Sequence, residues 1–236
     1  MLLVWTLFMC WNMCHEEAAD IMSMDRWNKC DIPRVSEISP STNFSWPFIV
    51  SNVSSLEHLA YFSRKNLIAV LGSQNTLWRE KAVVGNPRGI GTRGTFNEFI
   101  TTVGCNKTDN YMFTNMQIPY NSPVEKEMRL RSYPTSCTIH LGIGGHMTGL
   151  SAHKHGDAWN HVIYGRKKWF LTAPSITTNL VHISASDAHT YINHSEDALE
   201  CLQFPGEILF VPQNWTHATV NMDETVSVTN NCRLVE

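Results

Sequence analysis

A mainly β jelly roll with helices on its amino-terminal side is the fold class this sequence predicts, and three observations predict it. From Ser136 onward, short apolar runs alternate with Gly, Asn and Pro turns, the spacing of an all-β sandwich or jelly roll rather than a parallel α/β sheet. Helical periodicity is confined to the part of the chain before Val103. A length of 236 residues with 43% hydrophobic residues suffices to bury one full core, so a single domain is expected over 30–236, with its centre over 136–230.

The first eleven residues, Met1-Leu-Leu-Val-Trp-Thr-Leu-Phe-Met-Cys-Trp11, form an apolar run of signal-peptide length, too short to span a bilayer. A leader over 1–19 is expected, cleaved near Cys14 or around Ala18 and Ala19, and a buried amino-terminal strand is the alternative. Five Asn-x-Ser/Thr sequons, at Asn43, Asn52, Asn106, Asn193 and Asn214, point to the same lumenal compartment. The first four are the expected glycan acceptors. Asn214 is expected to stay largely bare, because a Trp follows it and the segment folds early. Beyond the leader, Cys30, Cys105, Cys137, Cys201 and Cys232 allow at most two disulfides and leave one thiol over. Cys137, inside an apolar stretch, is the expected free one, packed as a small hydrophobe.

Pro33, Pro40 and Pro47 punctuate a polar segment that ends in a short strand over Trp46–Val50. Ser54 or Ser55 can cap a helix through Leu56–Phe62. Asn66–Leu71 reads as a buried strand closed by Gly72. The glycines of Val84–Gly94 lack the spacing of a phosphate loop and read as a surface loop, and Thr95 can cap a helix to Thr102. Asn110 to Pro134 reads as an irregular connection. Strands are then expected over Cys137–Leu141, Ala152–His155, Asn160–Tyr164, Lys168–Ala173, Glu207–Val211, Thr216–Val220 and Thr225–Asn230.

The chemistry concentrates in Gly149–Pro174. His153 and His155 lie two residues apart, and on a strand such residues share a face, so both imidazoles can reach one metal while Lys154 points away. His217, after Gly206-Glu-Ile-Leu-Phe-Val-Pro212, is the candidate third ligand. Three ligands on one face of an octahedral iron leave three positions for a co-substrate and oxygen. Five of the 11 histidines fall between 140 and 161, which strengthens the cluster. A net charge of -3 and only a short basic run, Arg166 to Lys168, argue against nucleic acid as a partner. That run also reads as a solvated strand end.

The His-x-His-Gly motif, Val162-Ile-Tyr-Gly-Arg-Lys-Lys-Trp-Phe-Leu171 and Gly206-Glu-Ile-Leu-Phe-Val-Pro212, followed by Trp215, His217 and Asn221-Met-Asp223, resemble the JmjC domain, a double-stranded β-helix of the cupin superfamily. The resemblance covers about Ser136 to Asn230 and extends more weakly over Cys30 to Pro134. It implies Fe(II) held by His153, His155 and His217, with 2-oxoglutarate as co-substrate. Lys167 would pair with the distal carboxylate, and Asn160 and Thr229 would hydrogen-bond the co-substrate. Active members carry Asp or Glu where this chain has His155, which changes the charge on the metal. Asp157 would restore a carboxylate if Gly156 bulged the strand.

Two functions are therefore expected in competition. One is a non-catalytic lumenal module acting through a protein partner, and the other is an Fe(II)/2-oxoglutarate-dependent hydroxylase acting on a protein in the endoplasmic reticulum. A three-histidine dioxygenase without 2-oxoglutarate would leave Lys167 unexplained, and histone demethylation conflicts with the lumenal signals. The last residues carry no KDEL-type signal, which keeps secretion open.

Overall fold

The computed structural model describes residues 27–51, 53, 56–80, 91–103, 110–114, 137–175 and 198–232. Its strands are β1 (Arg34–Val35), β2 (Phe48–Val50), β3 (Asn75–Glu80), β4 (Thr92–Thr95), β5 (Asn110–Thr114), β6 (Cys137–Gly144) and β7 (Gly149–His153). These are followed by β8 (Asp157–Tyr164), β9 (Lys167–Thr172), β10 (Ala198–Gln203), β11 (Ile208–Val211), β12 (Thr216–Asn221) and β13 (Thr225–Cys232). The helices α1 (Leu56–Tyr61), α2 (Arg64–Leu71) and α3 (Phe96–Thr102) lie on the amino-terminal side. A nine-stranded sheet has the order β1-β2-β11-β8-β13-β6-β5-β3-β4, and a four-stranded sheet has the order β10-β9-β12-β7. This is the jelly-roll architecture of a double-stranded β-helix.

Alternation along β6 shows how the sequence assigns its faces. Leu141 and Ile143 are fully buried against Leu67, Leu71, Phe99 and Ile100 of α2 and α3, which cover the outer face of the large sheet. Gly142 and Gly144 occupy the opposite face, as period-two alternation requires. Across the molecule, Ile49, Ala158, Leu209 and Val211 of the large sheet meet Trp169, Leu171 and Cys201 of the small one, closing one end of the space between them. On the outer face of the small sheet, Phe170, Ala152, Ala218 and Val220 pack beneath Trp27.

Several expectations are corrected. Asn66–Leu71 is helical: Ser63 caps α2 by accepting a hydrogen bond from the Asn66 N–H, and Leu67 and Leu71 share the buried face at helical spacing. Asn110–Thr114, expected to be irregular, is β5 in the large sheet, and Thr92 to Gly94 belong to β4 rather than a loop. Cys137 is not a free thiol. It is bonded to Cys232, its direct cross-strand partner, and a second disulfide joins Cys30 to Cys201. The basic run is not solvated either. Lys167 and Lys168 are 2% and 0% exposed, Arg166 pairs with Asp223, and Lys168 pairs with Glu200.

The helix expected from Thr95 is present with a full capping box. The Thr95 hydroxyl accepts from the Glu98 N–H, while the Glu98 carboxylate accepts from the Thr95 N–H. The proposed leader, Ser54, Ser55, Cys105, and the sequon residues Asn52, Asn106 and Asn193 lie outside the described residues. Among the described residues, no helix is long and apolar enough to cross a membrane.

Candidate metal centre

The four-stranded sheet brings His153, at the end of β7, and His217, on the neighbouring β12, directly opposite each other as paired residues. His155 follows one residue past β7 rather than lying within it, so the expected strand over Ala152–His155 is shorter at its end. It still faces the pair: its ring centroid lies 5.2 Å from that of His153 and 4.8 Å from that of His217, and its carbonyl accepts a hydrogen bond from the Asn214 N–H at 2.9 Å. One ligand nitrogen from each of the three histidines can be chosen so that all lie within 4.8 Å of one another.

The rings are oriented as ligands need. The Nδ1 of His153 bonds the Ser151 carbonyl at 2.7 Å, that of His155 the Gly156 carbonyl at 2.8 Å, and that of His217 the Trp215 carbonyl at 2.9 Å. Since a carbonyl only accepts, each Nδ1 carries the proton, and each Nε2 is left with the lone pair that binds a metal. Burial lowers the pKa of all three, to about 4 for His153 and well below the ordinary value for His217, where the neighbouring His153 and His155 add to the effect. The site is therefore neutral and ready to ligate at physiological pH.

Asp157 does not join the cluster. It opens β8 opposite Cys232 as a strand residue, and its carboxylate accepts from the Gln213 N–H at 2.8 Å, so it is engaged with that backbone and not with the histidines. Donor chemistry here is three neutral imidazoles, a set found with Zn, Cu, Fe and Ni.

Lys167 occupies the far end of the same space. Its Nζ donates to Asn221 Oδ1 at 2.7 Å and lies 5.6 Å from the centre of the Tyr111 ring. No acidic side chain pairs with it among the described residues, and burial lowers its pKa to about 7. A buried ammonium without a counter-ion favours an incoming anion. Asn160 and Thr229 are cross-strand partners on the large sheet: Asn160 Nδ2 donates to Thr229 Oγ1 at 2.7 Å, while Asn160 Oδ1 is buried with no partner among the described residues. The site therefore fits a metal at one end and a carboxylate at the other, with free polar capacity on the large-sheet side.

Four supporting groups had escaped the sequence reading. Gln203 accepts from the Trp169 indole at 2.7 Å and donates to the Asn160 and Glu207 carbonyls, tying the small sheet to the large one. Tyr111, Ser227 and His140 lie on the large-sheet face that contains Thr229, and Gly142 leaves room there: a Cβ on it would lie 2.9 Å from Ser227 Oγ and 3.0 Å from the Tyr111 oxygen. The readable signal was the Gly142-x-Gly144 alternation, which marks a strand face kept clear of side chains.

Of the remaining sequons, Asn43 is exposed, and its Oδ1 accepts from the Ser45 N–H and hydroxyl. Asn214 occupies a left-handed turn at φ 64° beside His155.

No family model matches the chain. JmjC domain-containing protein 8 of Homo sapiens is 37% identical over 101 residues, which cover 40% of this chain and 38% of that protein. The 2-oxoglutarate and iron-dependent oxygenase JMJD4 of Mus musculus is 31% identical over 87 residues, covering 31% and 20%. The bifunctional arginine demethylase and lysyl-hydroxylase psr-1 of Caenorhabditis elegans is 31% identical over 102 residues, covering 34% and 25%. The chain thus spans well under half the length of these curated relatives.

Proposed function

We propose that this chain, similar over part of its length to JmjC proteins and built as a double-stranded β-helix, is a lumenal JmjC-fold protein that regulates protein complexes or signalling and holds a divalent metal through His153, His155 and His217. The observation that carries this reading is His155. It presents a third neutral imidazole where the JmjC resemblance implies a carboxylate, so the metal would keep one more positive charge and its redox poise would change. Two disulfides support a lumenal placement, because such bonds persist in oxidising compartments.

A second reading, a 2-oxoglutarate-dependent protein hydroxylase, is favoured by the buried Lys167, which has no acidic partner among the described residues. Iron(II) with 2-oxoglutarate as co-reductant and dioxygen as oxidant would supply oxidative hydroxylation. The chain's own residues would hold the metal at the three Nε2 atoms, seat the distal carboxylate against Lys167, and orient the co-substrate through Asn160 and Thr229.

Anaerobic titration of the purified protein with Fe(II) and 2-oxoglutarate separates the two. Iron binding without a visible metal-to-ligand charge-transfer band at millimolar co-substrate supports the regulatory reading and excludes the hydroxylase. A His155→Asp variant that gains 2-oxoglutarate turnover would show that the scaffold is intact and that the natural residue restrains it.

A further inference from the structure

The two sheets can be aligned from one landmark. Lys167 bonds Asn221 on β12 and lies over Tyr111, which is paired with Gly144 on β6. Four residues along β12 from Asn221 is His217, at the metal end. Four residues along β6 from Gly144 is His140, on the same face as Gly144. Counting from the lysine end therefore brings His140 on one sheet level with the triad on the other.

His140 is built into that wall. It is paired with Thr229, which is paired with Asn160, so the three form one rung across β6, β13 and β8 on the pocket side. Its ring stacks on Phe113 with centroids 4.8 Å apart and planes 9° from parallel, which fixes its orientation. Its Nδ1 is buried and has no partner among the described residues, and the same is true of Asn160 Oδ1 on the same rung. A buried polar atom left unpaired is a cost to the fold, so a ligand that supplies the missing partner recovers that loss. Burial lowers the His140 pKa and the nearby His155 lowers it further, so the ring is neutral and its two nitrogens offer one donor and one acceptor.

We infer that His140 is a ligand-contacting residue of this pocket, hydrogen-bonding through Nδ1 to the metal-proximal carboxylate of a bound 2-oxo acid, beside Asn160 and Thr229. The inference rests on the second reading above, in which the pocket takes 2-oxoglutarate. It divides recognition between two ends: Lys167 selects the distal carboxylate, and the rung of His140, Thr229 and Asn160 selects the end that chelates the metal.

Calorimetric titration of the full chain loaded with Mn(II) tests this without turnover, using 2-oxoglutarate and oxalate, which lacks the distal carboxylate. His140→Phe keeps the stack on Phe113 and removes the hydrogen bond, whereas His140→Gln retains an amide that can donate. The expected result is at least tenfold weaker binding of both ligands by His140→Phe, with partial recovery in His140→Gln. Lys167→Met is expected to weaken 2-oxoglutarate while sparing oxalate. Far-ultraviolet circular dichroism checks that each variant is folded. Wild-type affinity in His140→Phe, or equal loss in both His140 variants, overturns the inference while leaving the pocket reading in place. If the wild type binds neither ligand, the pocket reading falls and the inference falls with it.

Discussion

Lys167 is the residue whose charge state an anionic ligand would change most. Burial lowers its pKa from 10.5 to about 7, whereas in the unfolded chain it keeps the ordinary value. Between about pH 7 and 10.5 the unfolded state therefore binds more protons, so this group makes the fold more stable as pH rises through that window. Below about pH 7 both states are charged, and the full cost of burying the ammonium is present. A carboxylate seated against Nζ reverses the balance by favouring the charged form. Titrating the Mn(II)-loaded protein with 2-oxoglutarate at pH 8, in two buffers of different ionisation enthalpy, should thus show proton uptake approaching one per ligand. Lys167→Met should abolish that uptake and weaken binding by about 100-fold, the scale of a charge-assisted hydrogen bond. Wild-type binding without uptake would mean that Lys167 does not meet the anion. At this scale the sequence was partly legible. The two-residue spacing of His153 and His155 survives because both still face His217. The basic run misled because charge alone does not report facing: Lys168 is buried by Glu200 and by the Trp27 and Lys29 carbonyls, which are remote in sequence.

Pairing between β7 and β12 positions two of the three candidate ligands, so the spacing of these strands governs the metal site. Gly149 permits their close approach: a Cβ there would lie 1.9 Å from the Thr219 carbonyl oxygen, a backbone atom that cannot swing aside. Gly149→Ala should push β7 away from β12 and separate His153 from His217, with a loss of metal affinity of at least tenfold. Gly142→Ala makes a matched comparison, because its new Cβ would meet the ends of the Ser227 and Tyr111 side chains instead. It should weaken 2-oxoglutarate while leaving metal binding nearly unchanged. Spectroscopic titration with Co(II), followed by 2-oxoglutarate, reads both effects. If Gly149→Ala binds cobalt like the wild type, the strand spacing does not control the site. Legibility at this scale followed the strength of the local signal. Thr95 was read correctly as a cap, and Glu98 three residues on, which was not used, completes the capping box. Asn66–Leu71 is a short apolar run whose period is ambiguous, and the Ser63 cap decided it as helix. β5 and β10 went unread because their partners lie far away in sequence: β5 pairs with β3 and β6, and β10 with β9.

The two disulfides bind the whole molecule across long stretches of chain, with sequence separations of 171 for Cys30–Cys201 and 95 for Cys137–Cys232. Their pairing could not be read from spacing, since it depends on which strands are neighbours. Once β6 and β13 are adjacent, Cys137 and Cys232 are direct partners. Closing a loop of such length removes unfolded-state entropy corresponding to about 4–5 kcal/mol for one bond in the chain-entropy model. The Cys30 bond also fastens the segment whose Trp27 and Lys29 carbonyls accept from Lys168, and whose Asp31 exchanges hydrogen bonds with Glu200. Replacing Cys137 and Cys232 together with alanine should lower unfolding stability by about 2–5 kcal/mol, measured by denaturant titration. Because these bonds need an oxidising compartment, the proposed lumenal placement predicts a further difference. Protein expressed in cells with residues 1–19 should be recovered with four protected cysteines, Cys30, Cys137, Cys201 and Cys232. Protein expressed without them should be reduced and correspondingly less stable. Mass mapping after thiol alkylation decides the matter: if the same four cysteines are reduced in both preparations, the lumenal reading fails, because the oxidising environment it requires never reached the protein.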